Sequence, residues 1–200
     1  MTTSPGGGEL VVLLDEEGNA IGSADKAAVH TEGTPLHLAF SCYLFDDAGR
    51  LLITRRALDK ATFPGVWTNS VCGHPAPGEP LSEAIRRRAG DELGLLVTEL
   101  QLVLPRFRYD ARAADGVLEN EMCPVFVARC DDPGRLTLAP TEVAEFAWVF
   151  WPDFRDDVLT GVREVSVWCA KQVSELTSLE LPGGGFPTAS PRDLPPATRL

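Results

Sequence analysis

No stretch of this 200-residue chain approaches the ~20 consecutive apolar residues that a membrane-spanning helix needs. Basic residues are scarce as well: 18 Lys and Arg against 29 Asp and Glu leave a net charge of -11. That balance argues against a nucleic-acid or anionic-membrane surface, because both partners are bound by clustered Lys and Arg. The opening Met-Thr-Thr-Ser-Pro-Gly has neither the charged nor the apolar region of a secretory signal, so a cytoplasmic protein is expected. Cys42, Cys72, Cys123, Cys130 and Cys169 make an odd set without framework spacing, as expected of reduced thiols. Four of them sit in apolar stretches and are expected in the core, while Cys72 lies between Val71 and Gly73 beside a histidine. Histidine is scarce too, with His30, His37 and His74 only.

What is present suits one soluble domain: 44% hydrophobic and 24% charged residues, in a length sufficient to bury a core. Residues 1–8 are Gly, Ser, Thr and Pro-rich and are expected to be disordered, residues 9–180 to form a single domain, and the Pro/Gly-rich residues 181–200 to be a disordered tail. Strands are expected from Glu9 to Leu14 with a return at Ala20 to Ser23, then at His37 to Phe45 and Leu51 to Arg55. Asp25 to Gly33 reads as a polar connection and Ala57 to Val66 as a loop. A helix begins near Pro80 and Ser82, with Leu81, Ala84, Ile85 and Ala89 on its apolar face and Gly94 as its stop. Further strands are expected at Leu100 to Tyr109, Glu121 to Arg129 and Val143 to Phe150, followed by helix from Pro152 to Leu176 with a break near Gly161. The sum is an α/β sandwich, a mixed sheet with helices packed on its faces.

The stretch Trp67 to Leu95 organises the chain. Gly73, Glu79, Arg87, Glu92, Gly94 and Leu95 are spaced as in the Nudix box, G-x5-E-x7-R-E-U-x-E-E-x-G-U with U apolar, and this segment resembles it. Arg88 stands where the box has the Glu of its Arg-Glu pair, Ala89 is a small apolar residue, and Asp91 replaces the first of the paired glutamates. A hydrolase of that class needs its glutamates for the metals that activate water, so these changes count against pyrophosphate hydrolysis. Three strings, TNSVCGHP (Thr68 to Pro75), ENEMCPVF (Glu119 to Phe126) and HTEGTPLHLAFS (His30 to Ser41), together resemble the type I isopentenyl-diphosphate isomerases, a Nudix-fold family. The likeness runs from about Leu10 to about Lys171 and implies a Nudix-type α/β/α sandwich.

Glu119 and Glu121 are two apart in a segment of β character, so their side chains share a face. Neighbouring carboxylates repel unless they share a cation or a proton. Three imidazoles and two carboxylates suit a five-ligand site for Mn2+, Zn2+ or Mg2+, with nitrogen ligands favouring Zn2+ or Mn2+. The resemblance assigns this set to His30, His37, His74, Glu119 and Glu121, and implies that Glu92 contributes to a second ion, a Mg2+ bridging the substrate diphosphate. The reaction it implies is a proton shift that turns isopentenyl diphosphate into dimethylallyl diphosphate through a tertiary carbocation. Cys72 and Glu121 look like the two acid/base groups; which donates is open, and the bland readings are a small buried thiol and a ligand only. Trp168 matches the family tryptophan whose π-face supports the cation, with a structural helix Trp as the alternative. Tyr109 matches the tyrosine that hydrogen-bonds the catalytic glutamate. Lys26, Arg56, Lys60 and Arg88 match the basic residues that bind the diphosphate. A monomer acting on a small diphosphate, with no nucleic acid or membrane partner, is expected. The alternatives are a Nudix pyrophosphohydrolase and a non-catalytic metal-binding module.

Overall fold

The computed structural model describes residues 9–198, so the expectation of disorder for residues 1–8 lies outside the described residues. A hairpin of β1 (Leu10–Leu14) and β2 (Ala20–Asp25) leads into one helical turn, α1 (Lys26–Val29), where a polar connection was expected. The Asp25 carboxylate starts that turn by accepting from the Ala27 amide at 2.8 Å. Then come β3 (His37–Leu38), β4 (Phe40–Phe45), β5 (Arg50–Arg56), β6 (Trp67–Thr68) and β7 (Val71–Gly73). The helix α2 (Leu81–Leu93) follows, then β8 (Leu96–Leu104), β9 (Arg108–Arg112), β10 (Leu118–Met122), β11 (Val125–Asp131), β12 (Val143–Phe150), α3 (Trp151–Leu159) and α4 (Val167–Leu179).

The strands form two sheets rather than one. The first has the order β2-β1-β3-β10-β9, and the second β12-β5-β4-β11-β8, with β6 on β5 and β7 on β4. Two segments that read as continuous strands, His37 to Phe45 and Glu121 to Arg129, each leave one sheet and enter the other. The first bends at Ala39, and the second at Cys123 and Pro124, where the proline has no N–H for a ladder. They cross side by side: β3 runs parallel to β10 and β4 parallel to β11, stitched by Ala39 N–H to Met122 O at 2.9 Å and Ser41 N–H to Pro124 O at 3.1 Å.

The second sheet is the covered one. Alternate residues of β4 face opposite ways: Phe40, Cys42 and Leu44 pack with Leu81, Ala84, Ile85 and Ala89 of α2, while Tyr43 packs with Phe154, Cys169, Val173 and Leu176 of α3 and α4. Full burial of each large side chain contributes about 1.5–3 kcal/mol. Gly94 ends α2 with φ 66°, the left-handed conformation expected of a helix stop. Cys42, Cys123, Cys130 and Cys169 are buried and Cys72 is half-buried. Among the described residues no helix is long and apolar enough to cross a membrane.

The tail is a correction. Residues 181–198 wrap over the edge strand β8 instead of lying loose: Ala189 N–H donates to Leu102 O at 2.8 Å, Gln101 Nε2 to Phe186 O at 2.7 Å, and Ala197 N–H to Gly18 O at 3.0 Å. Phe186 is buried with its ring 5.5 Å from that of Trp151. Composition misled here because the few apolar residues fall where a free strand edge and an aromatic pocket await them. Gly183, Gly184 and Gly185, all at positive φ, make the turn that delivers Phe186.

Candidate metal and active site

The paired crossing of the two strands sets the site. His37 on β3 and Glu121 on β10 are direct partners in the parallel register. His74 follows the last residue of β7, and His30 terminates α1 as its C-cap. Ring centroids of the three histidines lie 5.2, 5.9 and 5.1 Å apart. One ligating atom from each of His30, His37, His74 and Glu121 falls within 4.8 Å of all the others. Glu121 Oε1 lies 3.0 Å from His74 Nε2 and 3.5 Å from His37 Nε2.

The ring orientations suit a cation. His37 Nδ1 donates to Pro35 O at 2.9 Å, which leaves Nε2 as the lone-pair nitrogen facing the cluster. Two buried ring nitrogens, His37 Nε2 and His74 Nδ1, have no hydrogen-bond partner. Burial, then the neighbouring imidazoles, push His30 down to about 4, and burial lowers His74. His37 goes the other way: burial opposes its charge, but the contact with Glu121 outweighs that. Burial alone would raise Glu121, yet His37 and His74 hold it well below the ordinary carboxylate range. Orphaned nitrogens, two imidazoles pushed towards neutrality and a carboxylate held ionised fit a borderline divalent ion.

Glu119 shares the face with Glu121 but stands outside the four-residue cluster. Tyr109 on β9 reaches both, its hydroxyl lying 3.0 Å from Glu119 Oε2 and 2.8 Å from Glu121 Oε2. Burial and then the Glu121 charge push Glu119 up to about 7. The two carboxylates thus resolve their repulsion by unequal ionisation.

Cys72 sits on β7 opposite Ser41. Its thiol donates to Asn69 Oδ1 at 3.1 Å and lies 3.4 Å from Ser41 Oγ. Burial pushes it up to about 11, and Glu121 is close enough for its charge to add to that. Gln172 Nε2 donates to Ser41 Oγ at 2.9 Å, so a fully buried amide of α4 fixes the hydroxyl beside the thiol. Trp168, in the first turn of α4, is buried with its ring 5.7 Å from Tyr109, and the Arg56 guanidinium lies 5.6 Å from the indole centroid. Its Nε1 has no partner.

These features carry the comparison with known proteins. Residues 35–169 match the NUDIX domain family. An isopentenyl-diphosphate Delta-isomerase from Saccharopolyspora erythraea is 55% identical, over 94% of this chain and 96% of its own. One from Mycolicibacterium vanbaalenii is 59% identical, over 82% of this chain and 90% of its own. The chain belongs to the isopentenyl-diphosphate Delta-isomerase family of NUDIX-domain proteins. Among solved structures, a Deinococcus radiodurans protein is similar with a TM-score of 0.63 at 21% identity, covering 84% of this chain and 98% of its own, a likeness of fold alone.

In this isomerase-family chain the Nudix box is kept as scaffold. Arg87 grips Glu79 through two contacts of 2.7 and 2.8 Å, and Glu79 also accepts from the Ala76 amide at 2.8 Å. Arg88 instead faces inward to Glu92, and lies 2.8 Å from Glu142, which also holds Lys60 at 2.5 Å. Burial pushes the Glu92 carboxyl up to about 7 against the pull of Arg88. Lys26 meets Glu9 at 2.6 Å. Arg56 Nη2 donates to Thr62 O at 2.8 Å, and its Nε to Phe63 O at 3.2 Å. A cavity of about 500 Å³ opens between Lys26, His30 and Thr62. Sequence reasoning passed over Ser41, Asn69, Thr62, Glu142 and Gln172. Asn69 and Ser41 lie inside the quoted motif strings, whereas nothing local marks Glu142 or Gln172.

Proposed function

We propose that this chain converts isopentenyl diphosphate into dimethylallyl diphosphate, as the names of its relatives indicate. The observation that carries this reading is the meeting of the half-buried His30 and His74 with the buried His37 and Glu121 in one cluster beside Cys72. An unactivated alkene is a poor base, so one group must press a proton onto its terminal carbon while another removes one from the allylic position. Cys72 and Glu121 are assigned those roles. Tyr109 orients the Glu121 carboxylate, and Trp168 presents its π-face to the tertiary cation between the two transfers; the guanidinium already near that ring supports an affinity for positive charge.

His30, His37, His74 and Glu121, with Glu119 behind them, would hold Zn2+ or Mn2+, with Mg2+ the third choice. When bound, such an ion supplies the positive charge that keeps a buried carboxylate ionised. Lys26, Arg56, Lys60 and Arg88 are assigned to the diphosphate, and Glu92 to a Mg2+ accompanying it. Lys26, Lys60 and Arg88 each now rest on a carboxylate that phosphate oxygens can replace.

Incubation of the protein with isopentenyl diphosphate and Mg2+ is expected to give the acid-labile allylic diphosphate, with Cys72→Ala folded but largely inactive. Release of inorganic phosphate without allylic product would overturn the reading in favour of a pyrophosphohydrolase.

A further inference from the structure

The loop between β5 and β6 carries a residue in an unfavourable backbone conformation: Phe63 has φ 47°. For a bulky L-residue the left-handed region is costly and persists only where the surroundings impose it. Here the imposing group is Arg56, which takes the Thr62 and Phe63 carbonyls together and also donates to Thr62 Oγ1 at 3.2 Å. The loop is closed at its base by Arg56 N–H to Val66 O at 3.0 Å and Gly65 N–H to Ala57 O at 3.4 Å. The result of this bracing is the placement of one ring. Phe63 meets Trp168 edge-on, with centroids 5.4 Å apart and planes at 82°. Phe63 and Cys72 border the same apolar cluster, which contains Trp168, Tyr109 and Cys123.

We propose that Phe63 is a specificity-determining wall of the reaction chamber, held against Trp168 by its left-handed backbone so that water does not reach the cation. The inference rests on the isomerase reading above. A tertiary cation next to water has a second fate: the water oxygen bonds to the cationic carbon and releases a proton to solvent. The proton already delivered to the terminal carbon stays there, so the product is the tertiary alcohol diphosphate, substrate plus one water. A ring that merely stabilised the fold would leave the ratio of alcohol to alkene unchanged.

The test compares wild type, Phe63→Ala, Phe63→Gly and Phe63→Tyr with isopentenyl diphosphate and Mg2+, measuring kcat, KM and the ratio of alcohol to allylic product. Ala removes the ring and keeps the backbone cost; Gly removes both, so Phe63→Gly is expected to melt no lower than Phe63→Ala. Both variants are expected to lose about tenfold or more in kcat with KM little changed, since a displaced group near the reacting atoms costs rate rather than affinity. Both are expected to release the alcohol, and Phe63→Tyr to restore the wild-type product ratio. An active wild type with Phe63→Ala giving the same rate and no alcohol would overturn the role of Phe63 alone. A wild type that makes no allylic product would overturn the isomerase reading and this inference with it.

Discussion

The two ends of the site manage charge in opposite ways. At the mouth, Lys26 pairs with Glu9 and Lys60 with Glu142 in partly exposed contacts, and Arg88 lies between Glu142 and the buried Glu92. Inside, burial drives groups towards neutrality: His30 down to about 4, Glu119 up to about 7, Cys72 up to about 11. Glu121 is the exception, kept ionised by His37 and His74. The mouth can therefore exchange one set of anions for another, while inside the partners of Glu121 cannot leave without stranding its charge.

That contrast is broken most severely at Glu121. Glu121→Gln keeps the shape and removes the charge, and is expected to lower kcat by at least about a hundredfold, the scale of a lost acid/base group. Metal content per chain, measured on the same purified variant, is expected to fall as well. Unchanged turnover would show that the interior charge is not needed. Chelation should act next: treatment with EDTA is expected to abolish activity and lower the thermal midpoint by several degrees, by loss of roughly 2–4 kcal/mol of binding linkage, with Mn2+ or Zn2+ restoring both. A midpoint indifferent to chelator would remove the ion from the cluster.

At the mouth the expected effects are smaller and of a different kind. Lys60→Ala is expected to raise KM for the diphosphate about tenfold, the scale of one charge-assisted hydrogen bond, with kcat nearly unchanged. A fall in kcat instead would place Lys60 with the interior. Away from both ends, Phe186→Ala is expected to destabilise the fold by about 3 kcal/mol in urea titration, leaving kcat within a factor of two. A matching loss of activity would mean that the tail reaches the site.

The sequence makes the local parts of this arrangement readable and hides the long-range ones. Leu81, Ala84, Ile85 and Ala89 recur at helical spacing and Gly94 stops them, so α2 was visible without its neighbours. Three histidines, all in marked stretches, pointed to one cluster, and three of the four converging residues are those histidines. The two sheets were invisible because Ala39 and Pro124 interrupt strands that otherwise read as continuous, and which sheet each half joins depends on partners far along the chain. Phe63 has no sequence signal either: its conformation is imposed by Arg56, seven residues back. The tail was misjudged because a low apolar content says nothing about where Phe186 lands.

The side-by-side crossing of β3–β4 and β10–β11 has a consequence for how the protein matures. His37 and Glu121 become neighbours only where those strands run together in the first sheet, whereas His74 is delivered by β7, which hangs on the second. A chain that has assembled one layer and not the other holds an incomplete cage. An ion held by all four residues would therefore bind only when both layers are in place.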